Sequence, residues 1–196
     1  MKRLHRQIQF LREIDRLKEV TRQSFLMSGS RQENSAEHSW HVATMAMILD
    51  EYANDDVDVN RVIRMLLLHD VIEIDAGDTY IYDEAGNRDK AAREALAAER
   101  IFSLLPDDQA EKYRSLWQEY ENQQSAEAKF AASLDRLMPL LHNYFTGGKS
   151  WKMHGIKKHQ VLNAVSSIRA GSEQLWQYAT TLIEDAVDKG FLADSD

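Results

Sequence analysis

A shortage of glycine and proline is the feature that most constrains how this chain can fold. Its 196 residues contain 8 Gly and 2 Pro, whereas average usage predicts about 14 Gly and about 10 Pro at this length. Because tight turns depend on these residue types, the chain can form few of them. Apolar residues recur three and four positions apart, as in Leu4, Ile8 and Leu11, which is the spacing of one helix face. The predicted fold class is all-α.

Capping residues and loop composition give approximate helix boundaries. Asp58 and Ser125 are predicted N-caps, and Pro106 can open a helix. The polar residues 28–35 and the glycine-containing stretch 75–90 predict loops, and no segment shows the sustained alternation of a strand. We predict one domain over residues 1–196, with a core of about 16–145 and a C-terminal helix packed on it. The predicted helices cover about 2–20, 35–49, 58–69, 89–104, 106–121, 125–146 and 157–188.

Charge and cysteine content exclude several classes of protein. The formal net charge is −8, and the chain has no cysteine, which excludes disulfides, thiolate zinc sites and a cysteine nucleophile. An acidic balance argues against a nucleic-acid polymer as partner, because such a surface needs clustered Lys and Arg. The densest apolar stretch, 62–74, is interrupted by charged residues and is shorter than the roughly 18 residues that span a bilayer. We therefore expect a cytoplasmic protein with no membrane partner.

A His-Asp pair interrupts the most apolar helix predicted from the sequence. His69 and Asp70 follow Met65–Leu68 and precede Val71 and Ile72. Neighbouring side chains on an α-helix diverge by about 100°, so we do not expect these two to pair with each other. A buried carboxylate needs a partner, and a cation at the flank of the helix could bind both side chains. If the His-Asp pair is isolated, the alternative to a metal site is a buried histidine that hydrogen-bonds to its own acidic partner.

The pair belongs to a larger ordered set of residues. His38 is the histidine of the run E-N-x-x-E-H-S and falls in the first turn of a predicted helix, and Asp135 lies on the apolar helix that Ser125 begins. The order His38, His69-Asp70, Asp135 resembles the HD-domain superfamily of metal-dependent phosphohydrolases. The resemblance extends from about 16 to 144. It implies a helical bundle whose central buried helix carries the His-Asp pair, and a divalent ion bound by His38, His69, Asp70 and Asp135.

Within that superfamily the chain resembles the bacterial 5′-deoxynucleotidase group. The segment R-L-K-x-x-x-R ending at Arg22 is similar to the opening motif of that group. The resemblance implies that Arg22 binds the substrate phosphate and that Glu73 and Asp78 act on water or on the sugar oxygens. Gln23 stands where that group has a tryptophan that helps select deoxyribose. The loop after Asp78, with Tyr80 and Tyr82, lacks the proline of that group.

This pattern predicts a hydrolase that removes phosphate from a small phosphomonoester, most simply a nucleoside 5′-monophosphate. Two imidazoles and two carboxylates suit one divalent Mn, Co, Fe, Ni, Zn or Mg ion better than Ca. The expected partner is a phosphorylated small molecule, and the amphipathic terminal helices could form a homodimer. A phosphodiesterase, a nucleoside triphosphate hydrolase and a non-catalytic nucleotide-binding module remain alternatives. His41 could support the first metal, bind a second or simply pack, and His142 could line the pocket or pack.

Overall fold

The protein is predominantly helical, as the sequence predicts. The computed structural model describes residues 1–83 and 85–194. Within these residues, eleven α-helices surround one small antiparallel hairpin. The helices are α1 (Lys2–Ile14), α2 (Ser35–Leu49), α3 (Val59–Leu68), α4 (Glu73–Ala76), α5 (Lys90–Phe102), α6 (Asp107–Asn122), α7 (Ala126–Phe145), α8 (Lys149–His154), α9 (Lys158–Val165), α10 (Ile168–Gly171) and α11 (Glu173–Asp188). The strands are β1 (Thr21–Phe25) and β2 (Gln32–Asn34), and 3-10 turns cover Asp15–Glu19, Asp50–Tyr52 and His69–Ile72.

The predicted helix starts agree with the capping contacts. The Asp58 side chain accepts a hydrogen bond from the Arg61 amide, and the Ser125 side chain accepts one from the Ala128 amide. Each bond satisfies one of the amides that a helix N-terminus leaves without an internal partner. α7 continues for 20 residues although it contains Pro139. It is the central helix, and it packs against α2, α3, α10 and α11.

The chain departs from the sequence prediction at several places: the first helix ends at Ile14 rather than near residue 20, α8 forms where no helix was predicted, and two further segments differ as follows. The C-terminal helix predicted over 157–188 is three helices, α9, α10 and α11, because α9 ends at Val165 and the backbone becomes extended at Ser172 (φ −156°, ψ 110°). The Ser172 side chain caps α11 by accepting from the Leu175 amide, and serine favours such caps over helix interiors. The predicted loop 28–35 contains β2, which pairs with β1. These strands are too short and too polar to show alternation in the sequence.

The apolar core has two parts, and the His-Asp pair lies between them. Leu66, at the end of α3, belongs to the larger cluster, which α7 and the C-terminal helices complete. Val71 and Ile72 belong to a smaller cluster with Phe10 and Phe102. Residues on both sides of the pair are therefore anchored by burial, which stabilises apolar side chains by roughly 1.5–3 kcal/mol each. This anchoring holds two polar side chains rigidly inside the protein.

Candidate metal centre and adjoining cavities

His38 is placed by the start of α2. The Asn34 side chain accepts from the Glu37 amide at 2.9 Å, and the Glu37 carboxylate accepts from the Asn34 amide at 3.1 Å. This reciprocal arrangement is a capping box, and it fixes the first turn of a helix. The turn directs His38 into the interior, where its side chain is fully buried. Glu37 therefore serves the helix end rather than the site.

His69 and Asp70 are placed by a 3-10 turn rather than by a continuous α-helix. α3 ends at Leu68, and the His69–Ile72 turn follows directly. His69 Nδ1 donates to the Leu66 carbonyl at 2.8 Å, which leaves Nε2 as the nitrogen that faces the site. The expectation that the pair would diverge is wrong, since His69 Nε2 lies 3.1 Å from Asp70 Oδ1. The 3-10 turn is not the reason, since its three residues per turn separate neighbouring side chains by about 120°; the two side chains approach because His69 Nε2 and the Asp70 carboxylate both face the point beside Asp135.

Asp135 comes from the buried face of α7 and completes the group. Its Oδ1 lies 2.8 Å from His38 Nε2 and 3.5 Å from His69 Nε2. Its Oδ2 accepts from the Tyr120 hydroxyl at 3.0 Å. Tyr120 fixes the carboxylate from the opposite side. The sequence analysis gave it no role, because a tyrosine on an amphipathic helix cannot be told from an ordinary core residue.

The donor atoms of this group fit a single divalent ion. His38, His69 and Asp135 each offer a ligand atom within 4.8 Å of the others, and Asp70 Oδ2 lies 4.0 Å from His38 Nε2. Two ligands bonded at about 2.1 Å to one ion are at most about 4.2 Å apart, and the contacts measured among these four side chains run from 2.8 to 4.0 Å. His69 Nε2 is buried and makes no hydrogen bond with the described residues. A cation is the partner that this atom lacks.

The charges of these buried side chains shift one another's pKa values. Burial lowers the pKa of His69, but the charges of Asp70 and Asp135 outweigh it and raise the pKa to about 9. The pKa of His38 is also raised, since its hydrogen bond to Asp135 and the nearby carboxylates of Glu33 and Asp70 outweigh burial and the charge of Arg22. Burial opposes ionisation of Asp135, yet its hydrogen bond to His38 and the neighbouring imidazole of His69 hold its pKa well below the usual range. These carboxylates thus favour a cation between them, as a proton or as a metal.

Arg22 lies beside this group on strand β1. Its Nη1 donates to Asp70 Oδ2 at 2.8 Å and lies 3.7 Å from Glu73 Oε1 and 3.5 Å from Asp78 Oδ1. Glu73 opens α4 in the turn after the His-Asp pair, and the Ser35 hydroxyl donates to its Oε2 at 2.6 Å. Gly77 ends α4 with φ 74°, a backbone geometry that favours glycine, and this turn brings Asp78 back toward Arg22. The structure therefore brings together all three residues predicted from the opening motif and the acidic positions.

Burial changes the acidity of these two carboxylic acids. It raises the pKa of Glu73 well above its ordinary value, and the charge of Asp70 adds to the effect, while Arg22 opposes it. Burial also raises the pKa of Asp78, against the opposing charge of Arg22. Arg22 itself stays charged, since the surrounding carboxylates raise its pKa although burial acts in the other direction. A carboxylate with a raised pKa is a stronger base, which suits proton transfer near neutral pH.

Two adjoining cavities open above these residues. The first is mainly polar, and the second is lined partly by aromatic and aliphatic side chains. Arg22, Asp78 and Arg136 line both, so they form the boundary between the two. Arg136 directly follows Asp135, and the sequence analysis gave it no role. Further lining residues of the first cavity are His69, Asp70, Glu73, Lys90 and Asp135; further ones of the second are Gln23, Tyr80, Tyr82, Asn143 and Trp151.

Tyr80 and Tyr82 line the second cavity, whereas Lys149 and His142 lie outside the lining of both cavities. Tyr80 and Tyr82 pack on each other with ring centroids 5.1 Å apart, and both also pack on the larger core. Lys149 lies over the Phe25 ring and donates to the Gly29 carbonyl, so it is a structural contact. His142 is buried outside the lining of both cavities. It faces Glu33, a buried residue of the E-N-x-x-E-H-S run that the sequence analysis quoted without assigning a function.

Comparison with known proteins identifies the family. The model of the HD domain matches residues 14–176, which is most of the chain. The chain belongs to the HD-domain family. Its match covers every predicted ligand, together with Arg22, Glu73 and Asp78. No helix among residues 1–83 and 85–194 is long and apolar enough to cross a membrane.

Several relatives in this family are curated proteins. The chain is 36% identical to the 5′-deoxynucleotidase HDDC2 of Homo sapiens over 135 residues, which is 68% of this chain and 65% of that protein. It is 33% identical over 100 residues to a 5′-deoxynucleotidase of Shewanella oneidensis, which is 47% of this chain and 51% of that protein. The match to the human protein therefore spans slightly less than two thirds of its length.

Solved structures support the same fold. A predicted metal-dependent phosphohydrolase from Magnetospirillum magnetotacticum MS-1 is 54% identical, with a TM-score of 0.94 over 97% of this chain and 96% of that chain. The PH0347 protein from Pyrococcus horikoshii OT3 is 21% identical, with a TM-score of 0.62 over 93% of this chain and 99% of that chain. The second comparison shows the shared fold alone.

Proposed function

We propose that this protein hydrolyses the phosphate ester of a nucleoside 5′-monophosphate with one bound divalent ion. One observation carries the proposal: three of the four proposed metal ligands, His69, Asp70 and Asp135, lie in the wall of the same cavity that Arg22, Glu73 and Asp78 line. A phosphomonoester there meets a cation site, an arginine and a buried carboxylate together. The 5′-deoxynucleotidase activity of the curated relatives supports the same class of substrate.

The proposed ligands are His38, His69, Asp70 and Asp135. A divalent ion held by this set would acidify water and polarise the phosphoryl group. Mn, Co, Fe, Ni and Zn match two imidazoles and two carboxylates, and Mg is a further candidate. Asp70 has a double role, because its Oδ2 also pairs with Arg22. This pairing holds the guanidinium at the edge of the cation site.

The residues around the ion have separate roles in the proposed reaction. Glu73 takes one proton of the attacking water, and the oxygen of that water bonds to phosphorus. The ester bond to the 5′-oxygen breaks, and that oxygen takes a proton from solvent water, while Glu73 returns its own proton to solvent. Arg22 presents its guanidinium to the phosphate, whose oxygens match this planar donor. Asp78 lies 3.5 Å from Arg22 Nη1 and supports the position of the guanidinium or of the sugar.

The second cavity is the proposed site for the nucleoside. It shares Arg22 with the cation-site cavity, and it adds Tyr80, Tyr82 and Trp151. Aromatic faces and polar groups of this kind suit a base and a sugar. Gln23 lines this cavity in place of the tryptophan of the resembled group. We therefore propose weaker discrimination between deoxyribose and ribose than that tryptophan provides.

The decisive experiment measures phosphate release after metal has been removed with a chelator. Mn, Co, Zn or Mg is added back singly, and the substrates are matched ribo- and deoxyribonucleoside 5′-monophosphates, 3′-monophosphates, a cyclic nucleotide and a triphosphate. We expect metal-dependent release from the 5′-monophosphates and little from the others. Selective hydrolysis of the cyclic nucleotide or triphosphate would contradict the proposal. Binding of nucleotide with no hydrolysis under any metal would favour a binding module.

Arg22→Lys tests the phosphate contact while it keeps the positive charge. Lysine loses the paired donors of the guanidinium, and loss of one charge-assisted hydrogen bond is worth about 1.5–3 kcal/mol. We expect the KM for a nucleoside monophosphate to rise roughly 10- to 100-fold, with a smaller change in kcat. Steady-state kinetics on Arg22→Lys and on the exposed control Arg12→Lys separates the two constants. An unchanged KM would place the phosphate contact elsewhere.

We propose that the protein is a cytoplasmic homodimer that associates through α1. Leu4, Ile8 and Leu11 are exposed on one face of this helix, and with Leu67 they line a continuous apolar depression. A second copy would cover this face. Ile8→Glu should shift the molar mass in light scattering from dimer to monomer, whereas the neighbouring exposed change Gln9→Glu should not. A monomeric unaltered protein at micromolar concentration would contradict the dimer.

A further inference from the structure

His38, His69, Asp70 and Asp135 together are called the catalytic cluster below. A second group of potential metal ligands lies outside it. Glu33 on β2, His41 on α2 and His142 on α7 each offer a ligand atom, and these atoms lie within 4.8 Å of one another. Glu33 is 1% exposed and His142 is 2% exposed, while His41 is half-buried. Two consecutive elements, β2 and α2, and the distant helix α7 thus direct a carboxylate and two imidazoles to one point. The half-buried ring gives this point a route to solvent.

Polar atoms at this point lack partners. Glu33 Oε2 lies 3.4 Å from His38 Nδ1, 3.6 Å from His142 Nδ1 and 3.8 Å from Arg22 Nε. All four atoms are buried, and none makes a hydrogen bond with the described residues. A buried polar atom without a partner costs about 1–3 kcal/mol, and a charged one costs more. The arrangement therefore calls for a further group that binds both a carboxylate oxygen and an imidazole nitrogen.

This point is separate from the catalytic cluster. His38 Nε2 faces Asp135, whereas His38 Nδ1 faces Glu33, so the two groups lie on different edges of one imidazole. They share no ligand. An ion beside Glu33 would therefore not touch a phosphate bound next to His69 and Asp135. It would act through Glu33 on the orientation of His38, as outer carboxylates do in other metal sites.

We propose that Glu33, His41 and His142 bind a second, structural transition-metal ion. Two imidazoles and one carboxylate form a set that zinc and cobalt bind well, and calcium and magnesium bind poorly. Ligands of one such ion are at most about 4.2 Å apart, so the His41 ring closes on the other two as the ion enters. The bound ion joins β2, α2 and α7, and water takes its remaining position.

Cobalt binding by the full chain tests this proposal. After chelator treatment, the protein is dialysed against a small excess of Co²⁺, and bound metal is measured by elemental analysis. We expect two Co²⁺ per chain in the unaltered protein and one in His41→Gln. The exposed histidine variant His5→Gln is the matched control and should keep two. His142→Gln should behave like His41→Gln, and circular dichroism reports whether each variant is folded.

The variant Asp135→Asn separates the two sites, because it removes a ligand of the catalytic cluster alone. The double variant Asp135→Asn, His41→Gln should bind one Co²⁺ per chain fewer than Asp135→Asn alone. Co²⁺ should raise the unfolding temperature of Asp135→Asn, and the added His41→Gln should abolish that rise. Equal metal content and equal unfolding temperatures with and without His41 would overturn the proposal and leave a water molecule as the partner of Glu33. Loss of one Co²⁺ supports it even if no phosphatase activity is found.

Discussion

Asp135→Asn should abolish hydrolysis of nucleoside monophosphates. The change removes the negative charge that lies 2.8 Å from His38 and 3.5 Å from His69, and an amide is a much weaker ligand than a carboxylate. A bound metal supplies several kcal/mol of charge stabilisation in a phosphoryl transition state, so we expect kcat/KM to fall at least about 10³-fold. Kinetics with saturating Mn or Co measures this loss.

The matching control for Asp135→Asn is Asp188→Asn, an exposed change near the end of α11. It should keep the activity and the metal content of the unaltered protein. The Asp135 variant should remain folded, since asparagine has nearly the same volume and can still accept a hydrogen bond from Tyr120. Full activity in a folded Asp135→Asn would remove this residue from the ligand set and, with it, the proposed cation site.

Glu73→Gln should retain the metal and lose turnover. Glutamine keeps the volume and can still accept the bond from Ser35, but it cannot take a proton from water. General base catalysis is typically worth about 10²–10⁴-fold, so we expect kcat to fall by about that factor while metal content is unchanged. The exposed change Glu99→Gln on α5 should leave both quantities unchanged.

The pH profile gives a second test of Glu73. A general base acts only when ionised, so the rate should rise as pH increases through its pKa. Burial and the charge of Asp70 raise the pKa of Glu73, and the ascending limb should therefore lie above the range of an ordinary glutamic acid. The limb should disappear from the residual rate of Glu73→Gln. An identical limb in both proteins would assign the base to another group.

Local sequence signals accounted for much of the secondary structure. Asp58 and Ser125 begin α3 and α7 as their capping preference predicts. The order of His38, His69-Asp70 and Asp135 pointed to the family before any distance was known. These signals succeed because capping and helix periodicity depend on neighbours within a few positions. The same range limits them: the serines that interrupt the predicted 157–188 helix are compatible with either a helix or a cap.

Tertiary structure decided which predicted residues meet. Arg22 approaches Asp70 because β1 pairs with a strand too short to predict, and Tyr120 reaches Asp135 because α6 packs on α7. His69 and Asp70 meet because core clusters on either side of the His69–Ile72 turn hold both side chains beside Asp135.

The sequence by itself determined the helical class, the residue types of the cation site and the class of chemistry they can perform. Only the tertiary structure set the neighbours of Glu33, His41 and His142, and it brought Glu33, to which the sequence assigned no role, into one cluster with the two histidines. The physical reason is the distance along the chain over which each kind of interaction acts. Helix formation and ligand chemistry are properties of side chains and short segments, whereas burial and long-range proximity depend on how the whole chain packs.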